Sequence, residues 1–167
     1  MSAREWTQAQ EPPSKAMKNN QIQGRPDSFP TGTIACNTDA AWRKESSEAG
    51  LAWIFDSSTA PNVSNGCKFQ PGVASVLMAE GLAVREALSH ALHTGISKIW
   101  LRSDSLSLIN AINSISKPMD LYGVLSDIER LSVSFEFCCF SFVAREENGP
   151  ADSLSKACLY HSITSWA

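Results

Sequence analysis

The 167-residue chain predicts an α/β fold, with helices packed on a mixed sheet of five strands. Three observations carry that expectation. Strand-like segments separated by turn signals come first, at 33–42, 50–55 and 67–73. Helical and strand spacings then alternate, giving the order β-β-β-α-β-α-α-β-α. No internal repeat interrupts that order. A chain of this length buries a substantial core. Its 43% hydrophobic and 19% charged content is ordinary for a soluble domain.

Residues 1–31 are rich in Gln, Asn, Pro and Ser, with Pro12-Pro13, Pro26 and Pro30, and carry no apolar period. They are expected to form a flexible polar arm, in which Trp6 is the one residue suited to docking. The domain proper is expected at 32–167. Thr33 to Trp42 and Gly50 to Phe55 read as strands. Asp56 to Gly66 is a run of turn residues leading into a third strand near Cys67 to Val73. Ser75 to Thr94 has helical spacing, with Leu77, Val84, Ala87, Leu88 and Ala91 on one face and Gly95 as the C-terminal stop. Ile96 to Arg102 is a strand, and Ser105 to Ile115 a helix ended by Lys117-Pro118. Leu121 to Leu131 is a further helix. Val133 to Ala144, apolar on both faces through Phe135, Phe137, Phe140 and Phe142, reads as a central strand. Pro150 to His161 closes with a helix.

Five cysteines (Cys36, Cys67, Cys138, Cys139, Cys158) without C-x-x-C spacing predict buried, reduced thiols, not a zinc site or a disulfide frame. No apolar run reaches the roughly 18 residues of a membrane span. The first residues lack the apolar core of a secretory signal. An intracellular protein, nuclear or cytoplasmic, follows as the expectation. Net charge is −3, so either any nucleic-acid-binding face is local or the affinity for nucleic acid is modest.

Four acids stand out. Asp39 lies inside the first strand, where a carboxylate is costly unless paired or bound to a metal. A strand-end or turn position is its plainer reading. Glu80 shares a helix face with Leu77, Val84, Ala87 and Ala91, the face that meets the sheet. Glu86 points elsewhere, as a solvent-facing acid does. Asp104 ends a strand and precedes Ser105; it suits a helix N-cap and equally the strand end where α/β sheets place chemistry. Asp152 sits in the first turn of the last helix, where an acid also favours the helix dipole. Carboxylates from different elements converging at one sheet end are what two magnesium ions need to clamp a phosphodiester.

Cys36-Asn37-Thr38-Asp39-Ala40-Ala41-Trp42, Ala79-Glu80-Gly81-Leu82-Ala83, Arg102-Ser103-Asp104-Ser105 and Arg145 to Leu154 match, in order and spacing, those of a known family. The chain resembles type 1 ribonuclease H over about 33–160, and within it the plant domains related to non-LTR retroelement reverse transcriptases. The resemblance implies a ribonuclease H-like sheet and hydrolysis of the RNA strand of RNA–DNA hybrids. It places catalysis and the binding of two Mg²⁺ ions (with Mn²⁺ able to substitute) on Asp39, Glu80, Asp104 and Asp152. Three departures accompany it. Phe142 stands where many members carry a His. Asp39-Ala40 replaces a common Asp-Gly. Ser116 to Asp120 replaces a basic protrusion. Arg43, Lys44, Arg102 and Arg145, with Asn148, are the candidates for substrate contact.

Other chemistries find little support. His90 and His93 near Glu86 read as a solvated helix face. No Gly-x-Ser-x-Gly, phosphate loop or dinucleotide fingerprint is present. The expectation is a monomeric, metal-dependent endonuclease acting on a nucleic-acid duplex away from membranes. The alternative is a domesticated retroelement fragment that binds nucleic acid or protein with little turnover.

Overall fold

The computed structural model describes residues 28–165. Most of the expected arm (1–31), Trp6 included, therefore lies outside the described residues. From Phe29 onward the chain follows the predicted order. Strands β1 (Ile34–Arg43), β2 (Glu48–Phe55) and β3 (Gly66–Gln70) come first, followed by helix α1 (Val76–His93) and strand β4 (Lys98–Ser103). Helices α2 (Leu106–Asn113) and α3 (Tyr122–Ser132), strand β5 (Phe137–Phe142) and helix α4 (Gly149–His161) complete it. The sheet order is β3-β2-β1-β4-β5. β1, β2 and β3 pair antiparallel, whereas β4 runs parallel to β1 and β5 parallel to β4.

Local chemistry sets the boundaries. The Ser75 hydroxyl accepts from Met78 N and opens α1. Gly95, at φ +83°, closes it with Ile96 N donating to Ala91 O at 2.9 Å, the left-handed stop that glycine permits. α1, α2 and α3 share one core with Leu51, Trp53, Ile99, Leu101 and Phe140. α4 covers the other face of β1–β3, so closely that a Cβ on Gly50 would strike the backbone of Ser155 and Leu159. Burial of this apolar surface is the main stabilising term.

Several expectations are corrected. Glu86 is not solvated: it is buried and holds Lys68 at 3.4 Å and Arg85 at 3.2 Å. His90 is not on a solvated face either. It is buried beside Phe55 and accepts from Trp53 Nε1 at 2.7 Å. The cause is common to both, since α1 is covered by β2 and α3 as well as by β1. α2 ends at Asn113, which leaves Ile115 exposed instead of on a buried face. β5 is an edge strand, not a central one. Its second apolar face is explained by Phe29, which stacks on Trp100 at 4.4 Å and meets Phe137 edge-on at 6.3 Å. All five cysteines are free and buried.

Candidate metal and nucleic-acid site

β1 stays in register with β4 only as far as Thr38, opposite Ser103. The next residue on each strand is an acid, Asp39 and Asp104, and the two strands part there. α1 crosses this end of the sheet and lowers Glu80 into the gap. Oxygens of Asp39, Glu80 and Asp104 all lie within 4.8 Å of one another. Asp39 and Glu80 are 4% and 7% exposed. Asp104 is freed for this site because Ser105 takes the cap of α2, its hydroxyl accepting from Leu108 N at 3.3 Å.

Gathering three carboxylates in one space raises the proton affinity of the two most buried, Asp39 and Glu80. Burial first, then the charge of Asp104, pushes Asp39 up to about 6. Burial, followed by the charges of Asp39 and Asp104, pushes Glu80 up to about 9. The Ala40 backbone N–H opposes both shifts by donating to the carboxylates. Glu80 Oε2 is buried with no hydrogen-bond partner among the described residues. An oxygen-only, carboxylate-rich donor set with an orphaned buried oxygen fits a hard divalent cation.

The remaining expected residues are distributed around this triad. Asp152 stands at the start of α4 and pairs with Lys156 at 3.0 Å on a half-exposed flank. It lies outside the tight cluster, yet near enough for its charge to raise Asp39. Arg145 is 85% exposed and brings Nε to 4.0 Å from Asp104 Oδ2. Arg43 is engaged by Glu48 at 3.5 Å and by the ring of Tyr160. Lys44 is exposed in the β1–β2 turn. Arg102 lies over the Trp100 ring, 4.4 Å from its centroid. Asn148 is fully buried and donates from Nδ2 to Thr38 O at 3.0 Å. Phe142 is half exposed at the rim, in register with Ser103.

Two participants were missed in the sequence. Ser155 is fully buried, with Oγ 3.5 Å from Asp39 Oδ2 and 2.9 Å from Asp152 O. Its spacing with Ala151, Cys158 and Leu159 marks the inward face of α4 and could have disclosed it. The Ala40 amide carried no such signal, because backbone donors have no sequence signature.

Comparison with known proteins agrees with the fold. A family profile described as reverse transcriptase-like matches residues 37–158. No curated protein matches the chain. Among solved structures, ribonuclease H1 from Halobacterium salinarum NRC-1 is similar with a TM-score of 0.70 and 24% identity, over 78% of this chain and 99% of that one. The N-terminal ribonuclease H domain of a Mycobacterium tuberculosis protein gives 0.69 and 18%, over 81% and 96%. A compost-derived ribonuclease H1 in complex with an RNA/DNA hybrid gives 0.68 and 18%, over 77% and 98%. At these identities the structures establish a shared fold. With its five-strand mixed sheet, its acidic triad where β1 and β4 part, and a profile match over most of its length, the chain belongs to the reverse transcriptase-like family of ribonuclease H-like domains.

Proposed function

We propose that this protein is a metal-dependent endonuclease that hydrolyses the RNA strand of RNA–DNA hybrids. The observation that carries the reading is the buried Asp39–Glu80–Asp104 triad, with its orphaned Glu80 Oε2. Carboxylates gathered at this density destabilise one another unless a cation joins them. Asp39, Glu80 and Asp104 would hold divalent ions, with Asp152 at the flank. Mg²⁺ is the ion this oxygen set suits, two ions the number its four acids allow, and Mn²⁺ a substitute. Bound divalent ions supply charge neutralisation at a scissile phosphate and a more acidic water.

The chain's own residues do the rest. Asp39 and Asp104, just past the last residues paired between β1 and β4, fix the site on the rigid sheet. Arg145, exposed beside Asp104, offers a cation to a substrate phosphate, and Lys44 extends that basic edge. In hydrolysis a water oxygen joins phosphorus, the P–O bond to the leaving sugar breaks, and that sugar oxygen takes a proton. Phe142 has no group to move that proton. Its exposure at the rim favours a second reading, in which the domain binds nucleic acid with little turnover.

Cleavage of a labelled RNA–DNA hybrid in Mg²⁺ or Mn²⁺ tests both readings, with Asp104→Asn as control. RNA-strand cleavage that the variant lacks is the expected result. Retained hybrid binding with no cleavage by wild type in either ion replaces the nuclease with the binding module.

A further inference from the structure

Asp39 and Asp152 stand on elements that share no backbone ladder, yet a shared ion requires their separation to be fixed. Asn148 joins those elements through the backbone. Its side chain donates to Thr38 O at 3.0 Å, one residue before Asp39. Its backbone carbonyl accepts from Asp152 N, also at 3.0 Å. Thr38 is the last β1 residue in register with β4, so this bond takes over where the ladder stops.

Asn148 occupies the N-cap of α4 but makes no side-chain cap hydrogen bond. The ordinary duty of an Asn at this position is to accept from the first free N–H groups of the helix. Here the amide is turned toward β1 instead. Its orientation is determined, because a flipped amide would set Oδ1 against Thr38 O, acceptor against acceptor. The side chain is fully buried and its Oδ1 has no hydrogen-bond partner among the described residues. A half-satisfied buried amide is a cost; the bond to Thr38 is what it contributes in return. Ser155, two turns further along α4, adds a polar contact to Asp39 from the same helix.

We propose that Asn148 is a positioning residue, which sets the Asp39 and Asp152 carboxylates at the separation a divalent ion needs without contacting ion or substrate. The proposal rests on the metal-site reading above. It assigns Asn148 to the same class as the outer partners that orient metal ligands, whose loss weakens metal affinity by about 10–100-fold.

The test is Mn²⁺ binding to the full chain, read from the free-ion electron paramagnetic resonance signal, in wild type, Asn148→Ala and Leu159→Ala. Leu159→Ala loosens α4 on the sheet through apolar contacts and leaves the Asn148 bond intact. The expected result is binding about tenfold weaker or more in Asn148→Ala, with Leu159→Ala like wild type. Unchanged affinity in Asn148→Ala overturns the proposal, and so does an equal loss in Leu159→Ala, which would assign the effect to stability. If wild type binds no Mn²⁺, the metal site itself falls and takes this inference with it. Should Asn148→Ala fail to fold, Asn148→Ser keeps a good cap residue too short to reach Thr38 and carries the same expectation.

Discussion

Asp39 of β1 and Glu80 of α1 turn their buried carboxyl groups toward one another across the gap between sheet and helix. Burial and mutual charge hold both well above the ordinary carboxylate range, Asp39 at about 6 and Glu80 at about 9. At neutral pH the folded molecule without metal therefore retains on Glu80 a proton that the unfolded chain has already released. This is a stability liability that a bound cation would remove.

The first prediction concerns that liability. Both folded-state values are raised, so these groups' contribution is intact below about pH 4 and is lost as pH rises through about 6 for Asp39 and about 9 for Glu80. In EDTA, Glu80→Gln removes the proton uptake that folding demands of Glu80 and is expected to raise Tm at pH 8 by roughly 3–10 °C. The gain should shrink toward pH 5, as the unfolded chain nears the pH at which it too holds that proton. Thermal melts of the two proteins between pH 5 and 9 decide it; a pH-independent difference contradicts the assignment.

Metal addition provides the second prediction. A ligand that binds only the folded state stabilises it by about 2.7 kcal/mol at one hundred times its Kd. Mg²⁺ or Mn²⁺ is expected to raise the Tm of wild type at pH 8 and to reverse the alkaline decline. Asp39→Asn and Asp104→Asn should lose most of that response. Equal cation stabilisation in both variants would place the ion elsewhere.

Much of this site was legible before the structure, for specific reasons. Asp39 interrupts a strand pattern and Glu80 an apolar helix face, local conflicts that a sequence exposes, while Asp104 falls at a strand end, where α/β sheets place chemistry. Glu86 and His90 were misread because α1 is buried over a broad arc, including Ala79, Gly81, Ala83 and Leu88, not along one stripe. A periodic pattern reports one covered face and is silent on a second neighbour. β5 read as central because a sequence records the apolar content of both faces and not which edge remains unpaired. The bond from Asn148 to Thr38 spans 110 residues, and no local pattern encodes such a pairing.

The third prediction follows from His90. Trp53 Nε1 donates to His90 Nδ1 at 2.7 Å, which requires the neutral imidazole. Burial lowers its proton affinity, with His93 adding to the effect. The stability this gives is present above the unfolded value near 6.5 and is lost as pH falls below it. His90→Phe is expected to reduce the loss of Tm between pH 7 and 5. It should also lower stability at pH 7 by about 1–3 kcal/mol, because the buried indole N–H loses its acceptor. A wild-type acid slope retained in the variant would point to another group.

Two glycines give a contrasting fourth prediction. A Cβ on Gly50 meets the backbone of Ser155 and Leu159, which a helix cannot yield without leaving the sheet. Gly123, in the first turn of α3, has open space around the same atom. Gly50→Ala is expected to cost 3 kcal/mol or more, on the order of severe overpacking. Gly123→Ala should be neutral or stabilising by up to about 1 kcal/mol. Urea unfolding of both variants checks the pair, and tolerance of Gly50→Ala would refute the close approach of α4 to β2.

Arg145 supplies the last prediction. It is 85% exposed, and its contact to Asp104 at 4.0 Å is long, so the pair contributes little to folding. Under the proposed function, its value would lie in the positive charge it holds beside Asp104, available to a substrate phosphate. Arg145→Ala is therefore expected to leave Tm within about 1 °C of wild type, since exposed ion pairs contribute little. Under the nuclease reading it should raise KM for a hybrid several-fold at low salt, with kcat changed less. Binding that no longer weakens as steeply with salt is the accompanying signature, because one phosphate contact has been removed. A kcat loss with unchanged KM would instead place Arg145 on the reacting phosphate itself, and an unchanged salt slope would remove it from the interface.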